Sequence, residues 1–561
     1  MWLPLLVVLG LIFLYRWHRQ SQILEDLSDK YVFITGCDTG FGNLLAKQLD
    51  SQGINVLAAC LTEKGAQNLE KEASSRLQTV ILDVTDSQSV NSAAKWASTI
   101  IKEKGLWGLV NNAGIGIPGG PNEWLSKDDF LKVINVNLLG AVDVTLHFLP
   151  LIRKARGRIV NVSSVAGRIS ICGGGYCISK YGIECFSDSL RNEMHPFGVK
   201  VSIIEPGFFS TLITNTDLQK ENIKICWEKT SEEVREAYGE EYFRKEKMWL
   251  PLLVVLGLLL LYRWYRQSQI LEIITGKYVF ITGCDSGFGN KLAKQLDNRG
   301  MKVLAACLTN TGASELKKEC SSRLQTVILD VSDSQSVSSA ATWVNGIVAD
   351  KGLWGLVNNA GIVIPMAPNE WLTREGFRKV LEVNLLGMVD VTINLLPLIR
   401  KSQGRIVNVS SIAGRVTLCG GGYCLSKYGI EAFSDSLRRE LKPFGVKVSI
   451  INPAFFRTSI LISEVLKDSV TEIWKKLPLN LKNAYGEKYY EQYCEFIDKI
   501  CSMTNPKITV VTDCMEHALT AVHPWTRYSA GWYAKLIYMP LSYLPTCVAD
   551  YFLDSSPDLP K

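Results

Sequence analysis

The stretch TGCDTGFG at Thr35–Gly42 decides the fold, and it occurs twice: TGCDSGFG spans Thr282–Gly289, 247 positions further along the chain. GLWGLVNNAGI at Gly105 returns at Gly352 with the same offset. No insertion or deletion separates the two copies. A period of this length indicates a duplicated domain rather than a solenoid of short repeats.

The repeat divides the 561 residues into a first copy, 1–247, and a second copy, 248–561. Each copy is long enough to bury a large core. The second copy continues past the point that matches the end of the first, so the first copy lacks a C-terminal piece. We predict an apolar leader and a folded domain in each copy, at 1–20 and 28–247 and again at 248–267 and 275–561.

The composition gives no sign of a nucleic-acid-binding surface. The 61 basic and 55 acidic residues leave a net charge of +6, without a basic run. Neither the 15 cysteines nor the five histidines have the spacing of a disulfide framework or a metal site. We therefore predict reduced thiols, no bound metal and no nucleic-acid partner.

Each copy opens with an unbroken apolar run, Trp2–Tyr15 and Trp249–Tyr262, followed by arginines. A helix of that length spans about 21 Å, less than the roughly 30 Å of a bilayer's hydrocarbon core, but tryptophans near both ends can lie in the interface. No small-residue cleavage site follows, so a removed signal peptide is not expected. We predict two membrane anchors, and a buried core helix is the alternative.

The arginines after each run favour the cytosol for that side of the membrane, which places the first copy in the cytosol. The second copy lies in the lumen if Trp249–Tyr262 crosses the bilayer. It lies on the same side as the first copy if that run rests flat in the interface. The sequence leaves both topologies open.

Beyond each leader, short β-branched runs alternate with amphipathic stretches of helical length. YVFIT at Tyr31, VILDV at Val80, GLVNN at Gly108 and RIVNVSS at Arg158 have the composition of buried parallel strands. The alternation predicts βαβ units, and hence two tandem α/β domains with doubly wound, Rossmann-like parallel sheets.

The glycine-rich stretch lies directly after the first strand and before a helix. Glycines there permit a tight turn and let a pyrophosphate approach the helix N-terminus; a plain turn is the alternative. The residues of this loop that we expect at a dinucleotide are Gly36, Asp38, Gly40, Phe41 and Gly42, with Gly283, Asp285, Gly287, Phe288 and Gly289 in the second copy.

Further candidates lie at the carboxyl ends of later strands, where such sheets bind their ligands. These are Asp83, Asn111, Ala113 and Gly114 in the first copy, and Asp330, Asn358, Ala360 and Gly361 in the second. No arginine follows the second strand, NVLAACLT, and the glycine loop carries Asp38 instead of a base, so a 2′-phosphate would lack its cation. We predict NAD rather than NADP. Lys64 is the one nearby cation that argues for NADP.

A tyrosine and a lysine four residues apart, Tyr176 and Lys180, share one face of a helix. A nearby ammonium favours the phenolate and lowers the pKa of a tyrosine from about 10, so the pair suits general acid–base work on an alcohol or ketone. Ser164 ends a strand upstream, where its hydroxyl can hold the substrate oxygen. The matching residues of the second copy are Ser411, Tyr423 and Lys427.

Taken in order, TGxxxGxG, NNAG, an asparagine, a serine and YxxxK resemble the short-chain dehydrogenase/reductase family over nearly all of each copy. The resemblance implies hydride transfer between a nicotinamide and a carbinol carbon, with the tyrosine moving the hydroxyl proton. It implies that an asparagine before LLG, Asn137 or Asn384, holds a water and the lysine in a proton relay. It also implies residues beside the nicotinamide: Pro206, Gly207 and Thr211, and Pro453 and Thr458.

Longer stretches, including DKYVFITGCD, GLWGLVNNAGI and RYSAGWYAKL, resemble the membrane-bound branch of retinol dehydrogenases and 3α/17β-hydroxysteroid dehydrogenases. This implies NAD-dependent interconversion of lipophilic alcohols and their carbonyl compounds, namely retinol with retinal and hydroxysteroids with ketosteroids. It also implies a location in the endoplasmic reticulum (microsomal) membrane and a possible homo-oligomer through the second copy.

Two departures from the family pattern bear on activity. Where the family has Pro-Gly beside the nicotinamide, the second copy has Pro453-Ala454, which is harmful only if φ must be positive there. The stretches TDCMEHALTAVHP and RYSAGWYAKLIYM, predicted as a last helix and strand, have no counterpart in the first copy. The resemblance implies that these two elements complete the sheet and build the dimer face. We therefore expect the first copy to end in an exposed edge strand, to bind cofactor weakly and to turn over little, unless it borrows a strand from another chain.

The stretch IYMPLSYLPTCVADYFL, from Ile537, is apolar but interrupted by prolines, which suits an interfacial surface better than a membrane span; a packed core segment is the alternative. We predict a membrane-anchored NAD-dependent dehydrogenase whose second copy does the work. A catalytically impaired NAD-binding scaffold, or a read-through fusion product, is the alternative. A soluble sugar or acyl-carrier reductase of the same fold is disfavoured by the two leaders.

Overall fold

The computed structural model describes residues 27–170, 173–207, 209, 211, 213, 215–239 and 274–553. Both predicted anchors, 1–20 and 248–267, lie outside these residues. Within the described part of the chain, Lys127–Ala155 and Arg374–Lys401 are helical stretches long and apolar enough to cross a membrane, but both are mostly buried inside the fold. They are core helices of the two copies.

The first copy alternates strands and helices as its sequence predicts. Its elements are β1 (Tyr31–Thr35), α1 (Gly40–Ser51), β2 (Asn55–Cys60), α2 (Glu63–Lys71), β3 (Leu77–Ile81), α3 (Ser87–Ile101), β4 (Gly108–Asn111), α4 (Lys127–Ile134), α5 (Ala141–Ala155), β5 (Arg158–Val162), α6 (Gly175–Met194), β6 (Lys200–Ile204), α7 (Thr216–Lys229) and α8 (Glu232–Tyr238).

The second copy repeats this order and then extends it. Its elements are β7 (Tyr278–Ile281), α9 (Gly287–Asn298), β8 (Lys302–Cys307), α10 (Asn310–Lys318), β9 (Gln325–Ile328), α11 (Ser334–Val348), β10 (Gly355–Asn358), α12 (Arg374–Leu381), α13 (Gly387–Lys401), β11 (Arg405–Val409), α14 (Gly422–Glu440), β12 (Lys447–Pro453), α15 (Ser463–Lys476), α16 (Leu479–Tyr485), α17 (Glu487–Ser502), α18 (Thr509–Thr520), β13 (Arg527–Ala530), α19 (Met539–Leu541) and α20 (Thr546–Leu553).

Each copy forms one parallel sheet, in the order β3-β2-β1-β4-β5-β6 and β13-β12-β11-β10-β7-β8-β9. In the register of the first sheet, Ile34 of β1 lies opposite Ala58 of β2 and Val110 of β4. The strand order reverses between β1 and β4, and between β7 and β10, so a crevice opens at the carboxyl ends of these strands. The predicted pair of doubly wound, Rossmann-like α/β domains is confirmed.

The sheet of the first copy ends one strand earlier than that of the second. In the second copy, α18 packs on α9, β11 and β12, and Leu292 and Val407 beneath it are fully buried. Their counterparts Leu45 and Val160 are only partly buried, and Ile204 on the terminal strand β6 is 50% exposed. The missing C-terminal piece therefore leaves the exposed edge that the sequence predicts.

The last predicted strand is shorter than expected. RYSAGWYAKLIYM was expected to be extended throughout, but β13 covers only Arg527–Ala530, and the residues Ala534–Tyr538 are helical. Gly531, with φ of 93°, ends the extended backbone in the left-handed region that glycine favours. The prediction was wrong for the second half of this stretch.

The two copies pack against each other along the helices α6 and α14. Several contacts on one side return on the other with the roles of the copies exchanged, which defines a pseudo-two-fold axis. The paired contacts are Asn122 with Glu440 and Asn369 with Glu193, Arg400 with Glu123 and Arg153 with Glu370, and Phe130 with Phe433 and Phe186 with Phe377. One chain thus has the arrangement of a symmetric dimer.

Candidate active site

The glycine loops of both copies have the backbone that a dinucleotide site needs. Gly36, Gly40, Gly283 and Gly287 have positive φ angles of 70°, 65°, 70° and 63°. A Cβ on Gly289 would lie 2.4 Å from the carbonyl oxygen of Gly283, so only glycine allows this close turn. Because α1 and α9 begin in these loops, their free N–H groups face the crevice, and the residues present fit a pyrophosphate.

Asp285 joins the glycine loop to the end of β8. Its carboxylate accepts hydrogen bonds from the backbone N–H of Leu308 (2.8 Å), the backbone N–H of Thr309 (2.9 Å) and the hydroxyl of Thr309 (2.7 Å). Asp38 makes the same three bonds to Leu61 and Thr62 in the first copy. A negative charge is thus fixed beside the carboxyl end of the second strand of each sheet.

A cleft of about 410 Å³ in the second copy brings most of the predicted residues together. Those that line it are Gly283, Asp285, Gly287, Phe288, Asp330, Ala360, Gly361, Ser411, Tyr423, Lys427, Pro453 and Thr458. Gly289, Asn358 and Asn384 do not line it. The glycine loop and the tyrosine–lysine pair therefore border the same cavity.

Asn358 and Asn111 belong to the framework, and this corrects their prediction as cofactor contacts. The Asn358 amide donates to Thr392 (2.9 Å) and Asn408 (2.9 Å) inside the sheet. Neighbouring residues of an extended strand point to opposite sides, so the residue that lines the cleft is Asn359. It donates to the carbonyl oxygens of Thr282 and Gly283, each at 3.0 Å.

The framework role of Asn111 follows from the same contacts in the first copy. Its amide donates to Thr145 (2.8 Å) and Asn161 (2.8 Å), whereas Asn112 holds the carbonyl of Gly36 at 3.0 Å. The motif NNAG offers two consecutive asparagines in each copy. Because side chains alternate along a strand, the second asparagine, Asn112 or Asn359, is the one that points to the glycine loop.

Asn384 and Asn137 lie in π-helical turns, Glu382–Leu386 and Asn135–Gly140, that interrupt the helix of each copy. Such turns are frequent at functional sites. The Asn384 side chain accepts from the N–H of Ile362 (2.7 Å) and donates to its carbonyl (2.8 Å). A Cβ on Gly361 would lie 3.2 Å from its Oδ1 and 3.9 Å from the Lys427 Nζ, so glycine keeps the space between amide and ammonium open.

Ser411, Tyr423 and Lys427 converge at the start of α14. Ser411 and Tyr423 both line the cleft. The Lys427 Nζ lies 5.5 Å from the centre of the Tyr423 ring and donates to the carbonyl of Val409 at 2.9 Å. The serine and tyrosine hydroxyls together form a small polar centre that can hold one substrate oxygen.

The electrostatics of the pair differ from the sequence-based expectation. Burial lowers the pKa of Lys427 to about 8. Burial also raises the pKa of Tyr423, and the side chain of Ser411 acts against that rise. The positive charge of an oxidised nicotinamide in the cleft would favour the phenolate.

The first copy holds its four candidates in the same geometry. The Lys180 Nζ lies 5.6 Å from the centre of the Tyr176 ring and donates to the carbonyl of Val162 at 2.8 Å. Asn137 bonds Ile115 as Asn384 bonds Ile362. Ser164 accepts from the N–H of Ala166, as Ser411 does from Ala413. The catalytic framework of the first copy does not depend on the missing tail.

The loops that follow β6 and β12 differ between the copies. In the second, Thr458 approaches the glycine loop, with its Cγ2 3.7 Å from the point where a Cβ on Gly287 would lie. In the first, no described atom lies within 4 Å of that point on Gly40, and Thr211 is half-buried. Pro206 and Gly207 follow β6 directly, and Gly207 does not have a positive φ.

The described cysteines are free thiols. Among the residues that the structure describes, no three His, Cys, Asp or Glu side chains converge in a way that could hold a metal ion.

The chain belongs to the short chain dehydrogenase family, whose model matches residues 30–222 and 277–468. The first range contains β1–β6 and the second contains β7–β12, so the chain contains two family domains in tandem. Membership of this family makes the protein an oxidoreductase that uses a nicotinamide dinucleotide.

Curated relatives resemble one copy each. Retinol dehydrogenase 16 of Homo sapiens is 56% identical over 313 residues, which cover 55% of this chain and 99% of that protein. Retinol dehydrogenase 7 of Rattus norvegicus is 55% identical over 54% of this chain and 96% of that protein. The 17-beta-hydroxysteroid dehydrogenase type 6 of Homo sapiens is 53% identical over 55% of this chain and 98% of that protein.

One solved structure matches more of this chain than a single copy. The NADP-bound N-domain of bacterial malonyl-CoA reductase matches 75% of this chain and 91% of its own, with a TM-score of 0.56 and 17% identity. At that identity the likeness shows the fold alone.

Proposed function

We propose that the protein is a membrane-associated, NAD-dependent dehydrogenase that interconverts retinoid or hydroxysteroid alcohols with their carbonyl compounds, and that the second copy carries the activity. The observation that carries the proposal is the single cleft bordered by both the glycine loop at Gly283 and the pair Tyr423 and Lys427. The proposed catalytic domains are the two predicted from the sequence, 28–247 and 275–561.

The chemistry follows from the residues of the second copy. Ser411 and Tyr423 hold the hydroxyl of the alcohol, and Tyr423 takes its proton as general base. Bound NAD supplies the acceptor for the hydride that leaves the carbinol carbon. In the direction of reduction, Tyr423 returns the proton to the carbonyl oxygen.

Asn384 is proposed to assist proton transfer by holding the backbone of Ile362 in place. Its amide is bonded to Ile362, which fixes the Ile362 carbonyl in the cleft that Lys427 also lines, and a water held by that carbonyl would link the lysine to solvent. Lys427, with its pKa lowered to about 8 by burial, is suited to pass a proton near neutral pH.

NAD rather than NADP is proposed because of Asp285. A 2′-phosphate beside this carboxylate would suffer like-charge repulsion in a partly buried site. The cation that argued for NADP in the first copy, Lys64, is replaced by Thr311 in the second copy. The working copy therefore lacks that countercharge.

The proposed substrates are lipophilic alcohols because the relatives named above act on retinol and hydroxysteroids, and because apolar side chains near the C-terminus face outward. Leu536 is 72% exposed, Tyr543 75% and Tyr551 81%. This surface favours contact with a lipid interface over a packed core segment. With the predicted anchors at 1–20 and 248–267, it supports a location on the endoplasmic reticulum membrane.

The first copy is proposed to contribute little turnover, since no described atom lies within 4 Å of the Cβ position on Gly40 and, in the described residues, its sheet ends at β6. The competing hypothesis of a catalytically dead scaffold relies on the lost tail to cripple the first copy and on Ala454 to cripple the second. That residue does not have a positive φ, so its side chain causes no backbone strain.

The proposed function is tested with microsomes from cells that express the full chain. All-trans-retinol and a 3α-hydroxysteroid are offered with NAD or NADP, and the carbonyl products are quantified by chromatography. We expect product from at least one alcohol, with NAD preferred. Binding of NADH without oxidation of either alcohol would instead support the scaffold.

A further inference from the structure

The two copies share a second cavity, of about 310 Å³, beside the catalytic cleft. The second copy lines it with apolar side chains that include Leu418, Phe496 and Tyr538, and with Phe455. The residues on either side of Phe455, Ala454 and Phe456, line the catalytic cleft. The cavity is therefore next to the place where the alcohol must react.

One wall of this cavity comes from the first copy. Ser189, Asn192 and Glu193, at the end of α6, line it. Apart from Thr417 and Lys499, the rest of the lining is largely apolar and aromatic, so the first copy supplies a polar wall to a mostly apolar cavity. An elongated apolar molecule with a polar end matches that distribution.

The same residues of the first copy position the catalytic helix of the second. Glu193 accepts the backbone N–H and the amide N–H of Asn369, both at 2.7 Å, and Ser189 accepts from the same amide at 2.7 Å. Asn369 in turn accepts the N–H of Gly421 at 2.8 Å. Gly421 directly precedes α14 and lies two residues before Tyr423.

The first copy also holds the C-terminal segment that closes the cavity. Arg191 pairs with Asp550 of α20 at a distance of 3.3 Å, and Phe552 and Leu553 of the same helix line the cavity. The mirror-image contact cannot form, because the sequence of the first copy has no counterpart of α20 that could pair with Arg438, the residue that matches Arg191. The contact between the copies thus serves the second copy.

We propose that the first copy is a built-in partner of the second, and that its Ser189, Asn192 and Glu193 form the polar wall of the cavity that receives the apolar body of the alcohol. This inference rests on the proposed function for its substrate. It gives the truncated copy a role that does not require its own turnover. Asn192 and Ser189 are specificity-determining residues, and Glu193 is a positioning residue.

The cavity assignment is tested in the full chain by a substitution that places a bulky side chain in the cavity. Asn192→Trp places an indole at the wall, and the matched control is Arg439→Trp, its mirror-image position on α14. Binding of all-trans-retinol is measured by its fluorescence, and KM is measured for retinol and for NAD. We expect Asn192→Trp to weaken retinol binding and raise its KM by about tenfold, with KM for NAD unchanged, and Arg439→Trp to change none of these.

The positioning role is tested by Glu193→Gln against its mirror, Glu440→Gln. Amide hydrogen exchange is followed at 417–423 and at 546–553. We expect faster exchange at both segments for Glu193→Gln and no change for Glu440→Gln. Equal effects of each variant and its mirror on retinol binding and on exchange would overturn the inference.

The binding measurement separates this inference from the proposed function. If the unmodified chain binds retinol but oxidises no alcohol, the proposed function fails while the cavity assignment is still decided by Asn192→Trp. If the chain oxidises retinol and Asn192→Trp behaves as Arg439→Trp does, the cavity assignment alone fails.

Discussion

Arg527 on β13 and Glu431 on α14 form a salt bridge, with 3.0 Å between Nε and Oε2, that ties the last strand of the second copy to its catalytic helix. Asn452 donates to the same carboxylate. The first copy has no last strand, and Glu184, the counterpart of Glu431, pairs with Arg168 at 2.8 Å instead. Loss of the tail therefore leaves a buried carboxylate with a weaker set of partners.

The pH dependence of stability should report this difference. Burial raises the pKa of Glu184 from 4.5 to about 7, against the attraction of Arg168. A carboxyl with a higher pKa in the folded state binds more protons when folded, so its stabilising effect is full below about pH 4.5 and is lost as the pH rises through about 7. We expect the first copy to lose up to about 3 kcal/mol over this window, and Glu184→Gln to remove that dependence.

The measurement is urea unfolding at several pH values, with each copy followed separately by pulse labelling and mass spectrometry. The matched variant Glu431→Gln should act in the opposite sense, destabilising the second copy by about 1–3 kcal/mol because it weakens the bond to Arg527. A first copy whose stability is flat between pH 4.5 and 7 would contradict the role of Glu184.

Ala454 should be harmless. Neither Ala454 nor Gly207, the residue that stands at the same place in the first copy, has a positive φ, and a Cβ on Gly207 meets no described atom within 4 Å. We expect Ala454→Gly to change turnover by less than about twofold and to cost about 0.5–1 kcal/mol of stability through the flexibility of glycine. A large rise in turnover for Ala454→Gly would show that alanine cripples the second copy.

Asp285 should set the cofactor preference. Asp285→Ala removes the fixed negative charge at the end of β8 together with its bonds to Leu308 and Thr309, so NAD binding weakens while the repulsion of a 2′-phosphate disappears. We expect the NAD-to-NADP ratio of kcat/KM to fall about tenfold. Asp38→Ala is the control, and an equal effect of that variant would place the measured activity in the first copy.

Much of the fold follows from the sequence because periodic, local signals specify it. The offset of 247 residues, the β-branched runs and the glycine loop at Gly36 each constrain neighbouring residues. The pairing of Tyr423 with Lys427 follows as well, since residues four apart on a helix lie on one face. The exposed edge of the first copy could be predicted by comparing the lengths of the two copies alone.

Other features depend on contacts that local patterns do not encode. Which asparagine of NNAG faces the cleft depends on the exact end of β10, and RYSAGWYAKLIYM is divided by the backbone of Gly531. The packing of α6 on α14 joins residues more than 200 positions apart. In α6 the buried positions lie all around the helix rather than on one stripe, and they include serines such as Ser187 and Ser189, so the apolar pattern does not reveal this packing.

The central claim, that the second copy is the working dehydrogenase, is tested most directly by comparing Tyr423→Phe with Tyr176→Phe in the full chain. Each change removes one hydroxyl from an otherwise matching site, and NAD-dependent oxidation of all-trans-retinol is measured in microsomes. We predict that Tyr423→Phe abolishes turnover and that Tyr176→Phe leaves it nearly unchanged. Loss of half or more of the turnover in Tyr176→Phe would contradict the account, because the first copy would then be active without its last strand.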